Sequence, residues 1–201
     1  MLKVGLTGGL ATGKSFVGEA LRDLGCHLIK ADELGHEVIQ PGGEAHAAVV
    51  REFGPQILDE SGAIDRRKLA AEVFDCPERL TRLNSLVHPH VIRREEELLL
   101  AIAKGDPGAI AVVEAAILIE TGSHRRFDKL ILVVCDEEQQ IERAMRRDGA
   151  SREDVLARLS RQMPLREKLA YADFVIDTSG DKQATLLHTR EVYNQLRALL
   201  R

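Results

Sequence analysis

Eight consecutive residues near the amino terminus carry the most specific chemical signal in the sequence. Gly8-Gly9-Leu10-Ala11-Thr12-Gly13-Lys14-Ser15 matches G-x-x-x-x-G-K-[ST] at every fixed position. In this pattern small residues let backbone N–H groups converge on a phosphate, and the following helix adds partial positive charge. Lys14 is predicted to reach the β- and γ-phosphates, and the Ser15 hydroxyl to bind Mg²⁺. The pattern therefore predicts a phosphate loop for a nucleoside triphosphate.

The rest of the sequence favours a small-molecule kinase over other proteins that carry this loop. GTPases usually read guanine with an Asn-Lys-x-Asp element, and this chain has none. A length of 201 residues leaves little room for an ATPase motor core. A kinase needs a carboxylate near the acceptor hydroxyl, arginines around the transferred phosphoryl group, and a pocket for the acceptor.

Asp32 is the candidate for the carboxylate because it comes directly after the second predicted strand. Ligands of open α/β sheets bind at the carboxyl ends of the strands. Asp32 is therefore predicted to lie near the phosphate loop and to accept the proton of an attacking hydroxyl. The alternative is that Asp32 caps a helix that begins at Glu33.

Residues 142–168 are the candidates for the arginines. They contain eight Lys or Arg and five acids, whereas the whole chain has a net charge of -4. Arg143 and Arg147 are four residues apart and share a helix face. This pattern predicts a helical lid that closes on a polyphosphate. A solvated basic helix pair is the alternative.

Two further positions have open assignments. Glu114 ends the third predicted strand, where it is either a carboxylate that acts on Mg²⁺ through water or a buried, paired acid. His88-Pro89-His90 precedes a long helical pattern. A helix start is favoured there over a ligand contact by His88, because two histidines one residue apart make a poor metal pair.

The elements that must position these residues alternate between short apolar runs and helix-spaced apolar patterns. Such alternation predicts an α/β fold with a parallel sheet and right-handed crossovers. The predicted strands are 2–7, 27–31, 109–113, 129–135 and 174–176. The predicted helices are 13–24, one from Glu33 to the break at Pro41, 45–53, 65–74, 77–86, 89–103, 136–149, 151–163 and 181–200.

Composition excludes several classes of protein. The net charge of -4, the absence of Trp and an aromatic content of 3% disfavour nucleic-acid binding. No apolar stretch approaches the ~18 residues of a membrane span, and the first residues lack the pattern of a secretory leader. Three cysteines without a CxxC spacing indicate reduced thiols. A cytoplasmic protein with no membrane partner is expected.

An ordered set of motifs over nearly the full length resembles the dephospho-coenzyme A kinases. The set begins with Val4-Gly5-Leu6-Thr7-Gly8-Gly9 and Gly13-Lys14-Ser15, continues through Ala31-Asp32 with His36, Val87-His88-Pro89 and Leu118-Ile119-Glu120, and includes Gln140-Ile141-Glu142-Arg143, Arg147-Asp148, Arg158, Gln162-Met163-Pro164, Lys168, Ala172-Asp173, Val175-Ile176-Asp177 and Ser179-Gly180.

The resemblance implies a fold of the P-loop NTPase or nucleoside-monophosphate-kinase type. It implies a single domain whose core, 1–31, 109–141 and 172–201, forms a five-stranded parallel sheet. A helical acceptor-binding region at 32–108 and a lid at 142–171 complete it. The implied activity is ATP-dependent phosphorylation of the ribose 3′-hydroxyl of dephospho-coenzyme A, giving coenzyme A and ADP, with Mg²⁺.

The resemblance also implies roles for individual residues. Asp32 matches the proposed base, 11–16 the ATP-binding stretch, and Arg143 a lid arginine. The full set of predicted nucleotide contacts is Gly8, Gly9, Ala11, Thr12, Gly13, Lys14, Ser15, Phe16 and Arg147. His88, Leu118 and Ile119 are predicted acceptor contacts.

The sequence departs from the family pattern at two positions. Ala11 stands where glycine is usual, which is tolerable only if this residue has a negative φ. Lys30 stands where aspartate is usual and adds positive charge near the acceptor site. Two other functions compete with the main one: a kinase of a nucleoside or sugar acid, and a non-catalytic nucleotide-gated binding protein.

Overall fold

The computed structural model describes residues 1–73 and 76–200, which form two compact units. The first unit comprises Met1–Ile29 and Leu99–Arg201, and the second comprises Lys30–Leu98. The predicted acceptor-binding region, 32–108, overlaps most of the second unit. It begins two residues later than that unit and ends ten residues later. The predicted lid belongs to the first unit.

Five strands form one sheet in the order β2-β3-β1-β4-β5. The central strand β1 pairs in parallel with β3 and β4, and β4 pairs in parallel with β5. The prediction of a parallel α/β sheet is confirmed, and each strand bound lies within one residue of the predicted bound. The strands are β1 (Leu2–Gly8), β2 (His27–Lys30), β3 (Ile110–Glu114), β4 (Lys129–Val134) and β5 (Phe174–Asp177).

Helices connect the strands. The helices are α1 (Lys14–Asp23), α2 (Ala31–Ile39), α3 (His46–Phe53), α4 (Arg66–Val73), α5 (Pro77–Gly105), α6 (Glu137–Asp148), α7 (Arg152–Leu159), α8 (Leu165–Lys168) and α9 (Lys182–Ala198). Short 3-10 turns occupy Pro55–Ile57, Ser123–Arg126 and Leu169–Tyr171. The predicted helix 65–74 has its last residue, Phe74, outside the described residues.

The main core lies between the sheet and two of these helices. Val4 and Leu6 of β1 are fully buried, as are Leu21 of α1 and Leu196 of α9. They belong to one apolar cluster that includes buried residues of β1, β3, β4 and β5, and Leu28 of β2 packs against it. Because helices cover the sheet, its strands read as continuous Val- and Ile-rich runs. The sequence patterns of these strands are explained by this burial.

The prediction of two helices at 77–86 and 89–103 is wrong. The structure has one helix, α5, with Pro89 in its interior, so His88-Pro89-His90 is not a helix start. Pro89 has no N–H to donate to the carbonyl of Ser85, and this loss usually ends a helix. Here the turns on both sides remain helical, and Val91 is buried just beyond the proline. Packing has overridden the local signal.

The second lid helix is shorter than predicted. A helix was expected over 151–163, but α7 ends at Leu159. Its start is fixed by a capping box, in which the Ser151 hydroxyl and the Asp154 carboxylate each bind the other residue's backbone N–H. Pro164 disfavours helical backbone at Met163, which explains the early end.

The described residues contain no membrane-spanning helix. None of their helices combines the length and apolar character that crossing a bilayer requires.

Candidate active site

The phosphate loop joins the central strand β1 to α1. Gly8 ends β1 where a Cβ atom would lie 2.5 Å from the carbonyl oxygen of Val133 in the neighbouring strand. Gly13 precedes α1 with φ at 88°, in the left-handed region that favours glycine. The first and last glycines of the motif are therefore required by close packing and by backbone conformation.

Side chains hold the loop in shape. The fully buried Thr12 donates its hydroxyl to the carbonyl of Gly9 at 3.0 Å. Lys14 directs its ammonium to the same carbonyl at 3.3 Å. Thr178, which follows β5, donates its hydroxyl to the carbonyl of Thr12 at 2.7 Å. Two hydroxyls and one ammonium thus fix the backbone of the loop, and the lysine lies across it.

The expectation that Ala11 has a negative φ is wrong. Its φ is 54°, and it is the single non-glycine residue with a positive φ among residues 1–73 and 76–200. Left-handed backbone costs an alanine roughly 1–2 kcal/mol. The methyl group packs with Leu10 against a lid cluster centred on Ile141 and Val155. This apolar contact, which glycine lacks, offsets part of the strain.

Ser15 and Glu114 form the candidate cation site. The Ser15 hydroxyl donates to Oε1 of Glu114 at 2.7 Å, although the residues are 99 positions apart. Glu114 is 8% exposed, and its Oε2 is buried without a hydrogen-bond partner among the described residues. A hydroxyl beside an unsatisfied carboxylate oxygen is a donor set that suits a hard cation such as Mg²⁺.

Protein ligands alone would not fill the coordination shell of that cation. Within the described parts of the chain, no group of three or more His, Cys, Asp or Glu is arranged to hold a metal ion. Mg²⁺ characteristically uses one or two protein ligands together with phosphate oxygens and water. The Ser15–Glu114 pair fits that mode of binding.

Arg143 is connected to the phosphate loop through Thr178. Its guanidinium donates to the Thr178 hydroxyl at 3.0 Å and to the Thr178 carbonyl at 2.8 Å. Gln139 accepts a further hydrogen bond from it at 3.0 Å. Thr178 in turn binds Thr12, so one residue joins the lid arginine to the loop. Sequence reasoning missed Thr178, although its place directly after β5 was a usable signal.

Arg147 faces different partners from Arg143. Its guanidinium makes two hydrogen bonds to Asp148, at 2.7 and 3.1 Å. Arg158 of α7 donates to the same carboxylate at 2.6 Å. Hydrogen bonds from the two arginines hold the pKa of Asp148 well below its ordinary range. Asp148 therefore joins α6 to α7, and the structure does not bring Arg147 to the phosphate loop.

The lid also contacts the loop through residues that sequence reasoning did not single out for this role. Gln162 accepts a hydrogen bond from the backbone N–H of Leu10 at 2.9 Å. A Cβ atom on Gly9 would lie 3.0 Å from Oε1 of Gln140 and 3.3 Å from a methyl group of Leu165. These residues border a cleft of about 740 Å³ beside the loop. The lid lies against the loop in this structure.

The other predicted contacts in the first unit differ in accessibility. Phe16 is half-buried, and the Lys182 ammonium lies 6.0 Å from its ring centroid. Leu118 and Ile119 are 4% and 5% exposed. Leu118 packs against Gly5 of β1, so these two side chains contribute to the core. Their predicted contacts with an acceptor gain no support from their burial.

Asp32 lies in the second unit, in the first turn of α2, and is exposed. The helix begins at Ala31 with Lys30 as its N-cap residue, and no side chain caps it. The alternative that Asp32 is the helix cap is therefore wrong. Lys30, the unusual residue, lies 3.4 Å from the carboxylate of Glu33. The structure records no partner for Asp32 within the described residues.

His88 also belongs to the second unit. It lies within α5 and is half-buried, and this burial lowers the pKa of its imidazole below the ordinary value. This shift of the pKa favours the neutral form of the ring. Its neighbour His90 lies 3.5 Å from Glu44. A neutral imidazole can donate one hydrogen bond and accept another, and the contact of His88 with the phosphoryl acceptor stays a prediction.

The sheet and loop define a class of protein. A phosphate loop after the central strand of a five-stranded parallel sheet, with a glutamate on its serine and an arginine-bearing helix beside it, is the architecture of a P-loop kinase. The chain resembles a shikimate kinase from Bacteroides thetaiotaomicron in fold, with a TM-score of 0.52 at 13% identity over 97% of this chain and 98% of the other.

Comparisons with known proteins specify the family. The family model described as dephospho-CoA kinase matches residues 2–184. A dephospho-CoA kinase from Aquifex aeolicus is 39% identical over 98% of both chains. The structure of dephospho-CoA kinase from Campylobacter jejuni matches with a TM-score of 0.73 at 26% identity, covering 99% of this chain and 98% of that one. The chain belongs to the dephospho-CoA kinase family, which confirms the resemblance and favours it over the competing functions.

Proposed function

We propose that this protein transfers the γ-phosphoryl group of ATP to the ribose 3′-hydroxyl of dephospho-coenzyme A, giving coenzyme A and ADP. Membership of the family supports the reaction, and the hydrogen bond between Ser15 and the half-satisfied Glu114 is the observation that carries it. Both substrates are small molecules. The cytoplasm is the proposed compartment.

The direct test is a panel of acceptors with ATP held constant. ADP release is followed with dephospho-coenzyme A, a nucleoside, gluconate and shikimate, and the product is identified by mass. Phosphorylation of dephospho-coenzyme A should exceed that of the others by at least about 100-fold in kcat/KM, because a site that hydrogen-bonds polar groups strongly rejects analogues that lack them. Equal turnover of a smaller acceptor would contradict the proposal.

The phosphate loop supplies binding and charge. Backbone N–H groups of residues 11–16 would surround the phosphates of ATP, and the Lys14 ammonium would exchange its contact with the Gly9 carbonyl for the β- and γ-phosphates. Arg143 would stabilise negative charge that spreads over the transferring group. Arg147 remains a proposed nucleotide contact, which requires it to exchange Asp148 for a phosphate.

Ser15 and Glu114 would hold Mg²⁺ in this site. When bound, the ion neutralises charge on the β- and γ-phosphate oxygens. The Ser15 hydroxyl would be a direct ligand, and Glu114 would orient that hydroxyl or a water on the ion through the oxygen that has no partner.

Glu114→Gln is expected to raise the Mg²⁺ concentration for half-maximal activity about tenfold, the usual scale for the loss of an outer-shell partner. The glutamine amide has nearly the same volume as the carboxylate but carries no charge. The measurement is a Mg²⁺ titration of turnover at fixed ATP. Glu138→Gln removes an exposed carboxylate that pairs with Arg152 and should leave the titration unchanged. An unshifted midpoint for Glu114→Gln would assign this residue a purely structural role.

We further propose that Asp32 takes the proton of the 3′-hydroxyl. Three observations support this role: its place directly after β2, its exposure, and its lack of a partner in the described residues. A carboxylate that does not cap a helix is available to accept a hydrogen bond from a substrate hydroxyl. An acid in the first helical turn also lies in favourable electrostatic potential.

Asp32→Asn is expected to lower kcat by roughly 10²-fold or more, the scale of a positioned general base. Stability should change by less than about 1 kcal/mol, since the substitution removes only a favourable charge from the first turn of α2. ATP affinity should stay within about twofold. Thermal midpoint, ATP titration and turnover are measured on one preparation.

Glu33→Gln is the matched control for Asp32→Asn, because Glu33 is the adjacent exposed acid of the same helical turn. It should leave kcat within about twofold. Turnover of Asp32→Asn within a few-fold of the wild-type value would exclude Asp32 as the base.

A further inference from the structure

Lys168 is the largest fully buried side chain in the described residues, with no exposed surface. It ends α8, and its ammonium lies 2.7 Å from Oε1 of Glu120. The Glu120 side chain is 22% exposed and belongs to the loop that follows β3. A lysine is almost never fully buried without a charged partner, so the burial of Lys168 depends on its contact with Glu120.

The pair joins a segment that contacts the phosphate loop to a segment that follows the candidate cation site. The lid-exit segment, residues 160–171, contacts the loop through Gln162 and Leu165. The post-β3 loop, residues 115–126, begins directly after Glu114, whose carboxylate accepts the hydrogen bond of Ser15. The ion pair therefore connects the segment that contacts the loop to the segment that directly follows Glu114.

A second contact joins the same two segments. The rings of His124 and Tyr171 meet edge to face with centroids 5.1 Å apart. This aromatic contact is at a partly exposed position, whereas the ion pair has its ammonium end fully buried and its carboxylate end near the surface. Two rings can slide past each other at little cost. The buried Lys168 ammonium has one low-energy position instead, because the attraction of opposite charges is strong where water is excluded.

We propose that Lys168 and Glu120 are positioning residues: their ion pair fixes the lid-exit segment in the register that places Gln162 and Leu165 against the phosphate loop. This inference rests on the proposed kinase function for its effect on catalysis. Displacement of catalytic groups by about 1 Å from a distant change can lower a rate about 10²-fold.

Apolar packing would fill the same space at less cost in desolvation. Replacing both members of a buried pair by apolar residues is often neutral or stabilising, whereas removing one member leaves a buried charge and destabilises. Stability and register are therefore separable by comparing single variants with the double variant.

The test measures turnover and thermal midpoint of Glu120→Gln, Lys168→Met and the double variant Glu120→Met/Lys168→Met. Each single variant should lower kcat 10- to 100-fold with KM for ATP within about threefold. The double variant should recover the thermal midpoint but keep the low kcat, because the two residues act as a unit. If Lys168→Met fails to fold, Glu120→Gln and the double variant carry the comparison.

Lys129→Met is the matched control. Lys129 pairs with Asp173, five residues after Lys168, at the same 2.7 Å separation, but both side chains are about a third exposed. Exposed pairs contribute little, so kcat should stay within twofold. Recovery of kcat together with the thermal midpoint in the double variant would overturn the proposal, as would single variants within twofold of wild type.

Hydrogen exchange of residues 160–171 tests the attachment without any turnover. Amides of this segment should exchange at least tenfold faster in Glu120→Gln and at the wild-type rate in Lys129→Met. A wild-type protein that does not phosphorylate dephospho-coenzyme A would contradict the proposed function but would leave this hydrogen-exchange result unchanged. Unchanged exchange in Glu120→Gln would overturn the positioning role.

Discussion

Lys14→Ala should abolish phosphoryl transfer, lowering kcat by at least about 10³-fold, the scale of a charge that stabilises a transferring phosphoryl group. Its ammonium lies 3.3 Å from the Gly9 carbonyl, within reach of any phosphate that enters the loop. No other side chain of the motif supplies positive charge. ATP affinity should also fall, because the lysine contacts the ground-state phosphates.

The fold should survive this substitution. Lys14 is the first residue of α1, and alanine is the best helix former. The hydroxyls of Thr12 and Thr178 still hold the loop. Circular dichroism and the thermal midpoint check the fold, and coupled ADP release checks turnover.

Arg22→Ala is the control for Lys14→Ala, since Arg22 is an exposed cation in the last turn of the same helix that pairs with Glu19. Its kcat should remain within twofold. Near-wild-type turnover of folded Lys14→Ala would exclude the phosphate loop as the catalytic element.

Arg143→Ala should lower kcat by around 10³-fold and change KM for ATP much less, because a positioned arginine acts mainly on the transition state. Its guanidinium is held by Thr178 and Gln139, so its position does not depend on a solvated, flexible chain. Thr178 links it to the carbonyl of Thr12. This connection to the phosphate loop distinguishes it from Arg147, Arg152 and Arg158, whose guanidinium groups bind carboxylates.

Arg152→Ala supplies the comparison for Arg143→Ala. Arg152 lies at the start of α7 and makes a surface ion pair with Glu138. Exposed pairs of this kind are worth little, so its kcat should stay within twofold. Steady-state kinetics with both substrates separate kcat from KM. Small, equal effects at both positions would indicate that residues 142–168 are a solvated basic helix pair.

Local chemistry explains the parts of the fold that the sequence predicted. The strands were recognised because both faces are buried, which leaves apolar runs such as those of β3 and β4. The phosphate loop was recognised because backbone geometry demands glycine at Gly8 and Gly13. These constraints act within a few residues, so short sequence motifs are enough to predict them.

The errors occur where packing overrides local preference. Pro89 predicted a helix boundary, but α5 continues through it. Ala11 was expected to have a negative φ, but it adopts a left-handed conformation while its methyl group packs against the lid. Asp32 resembled a helix cap, but α2 begins one residue before it. In each case the deciding energy comes from neighbours that the local pattern does not contain.

The sequence by itself determined the class of chemistry, because a phosphate loop and its strand–helix context are contiguous. It also determined the family, because ordered motifs span the chain. Only the tertiary structure decided which side chains act together. Ser15 meets Glu114 from 99 residues away, Thr178 meets Thr12 from 166 residues away, and Lys168 lies buried against Glu120. Such pairs depend on strand order and on exclusion of water, which arise only when the sheet and lid are assembled.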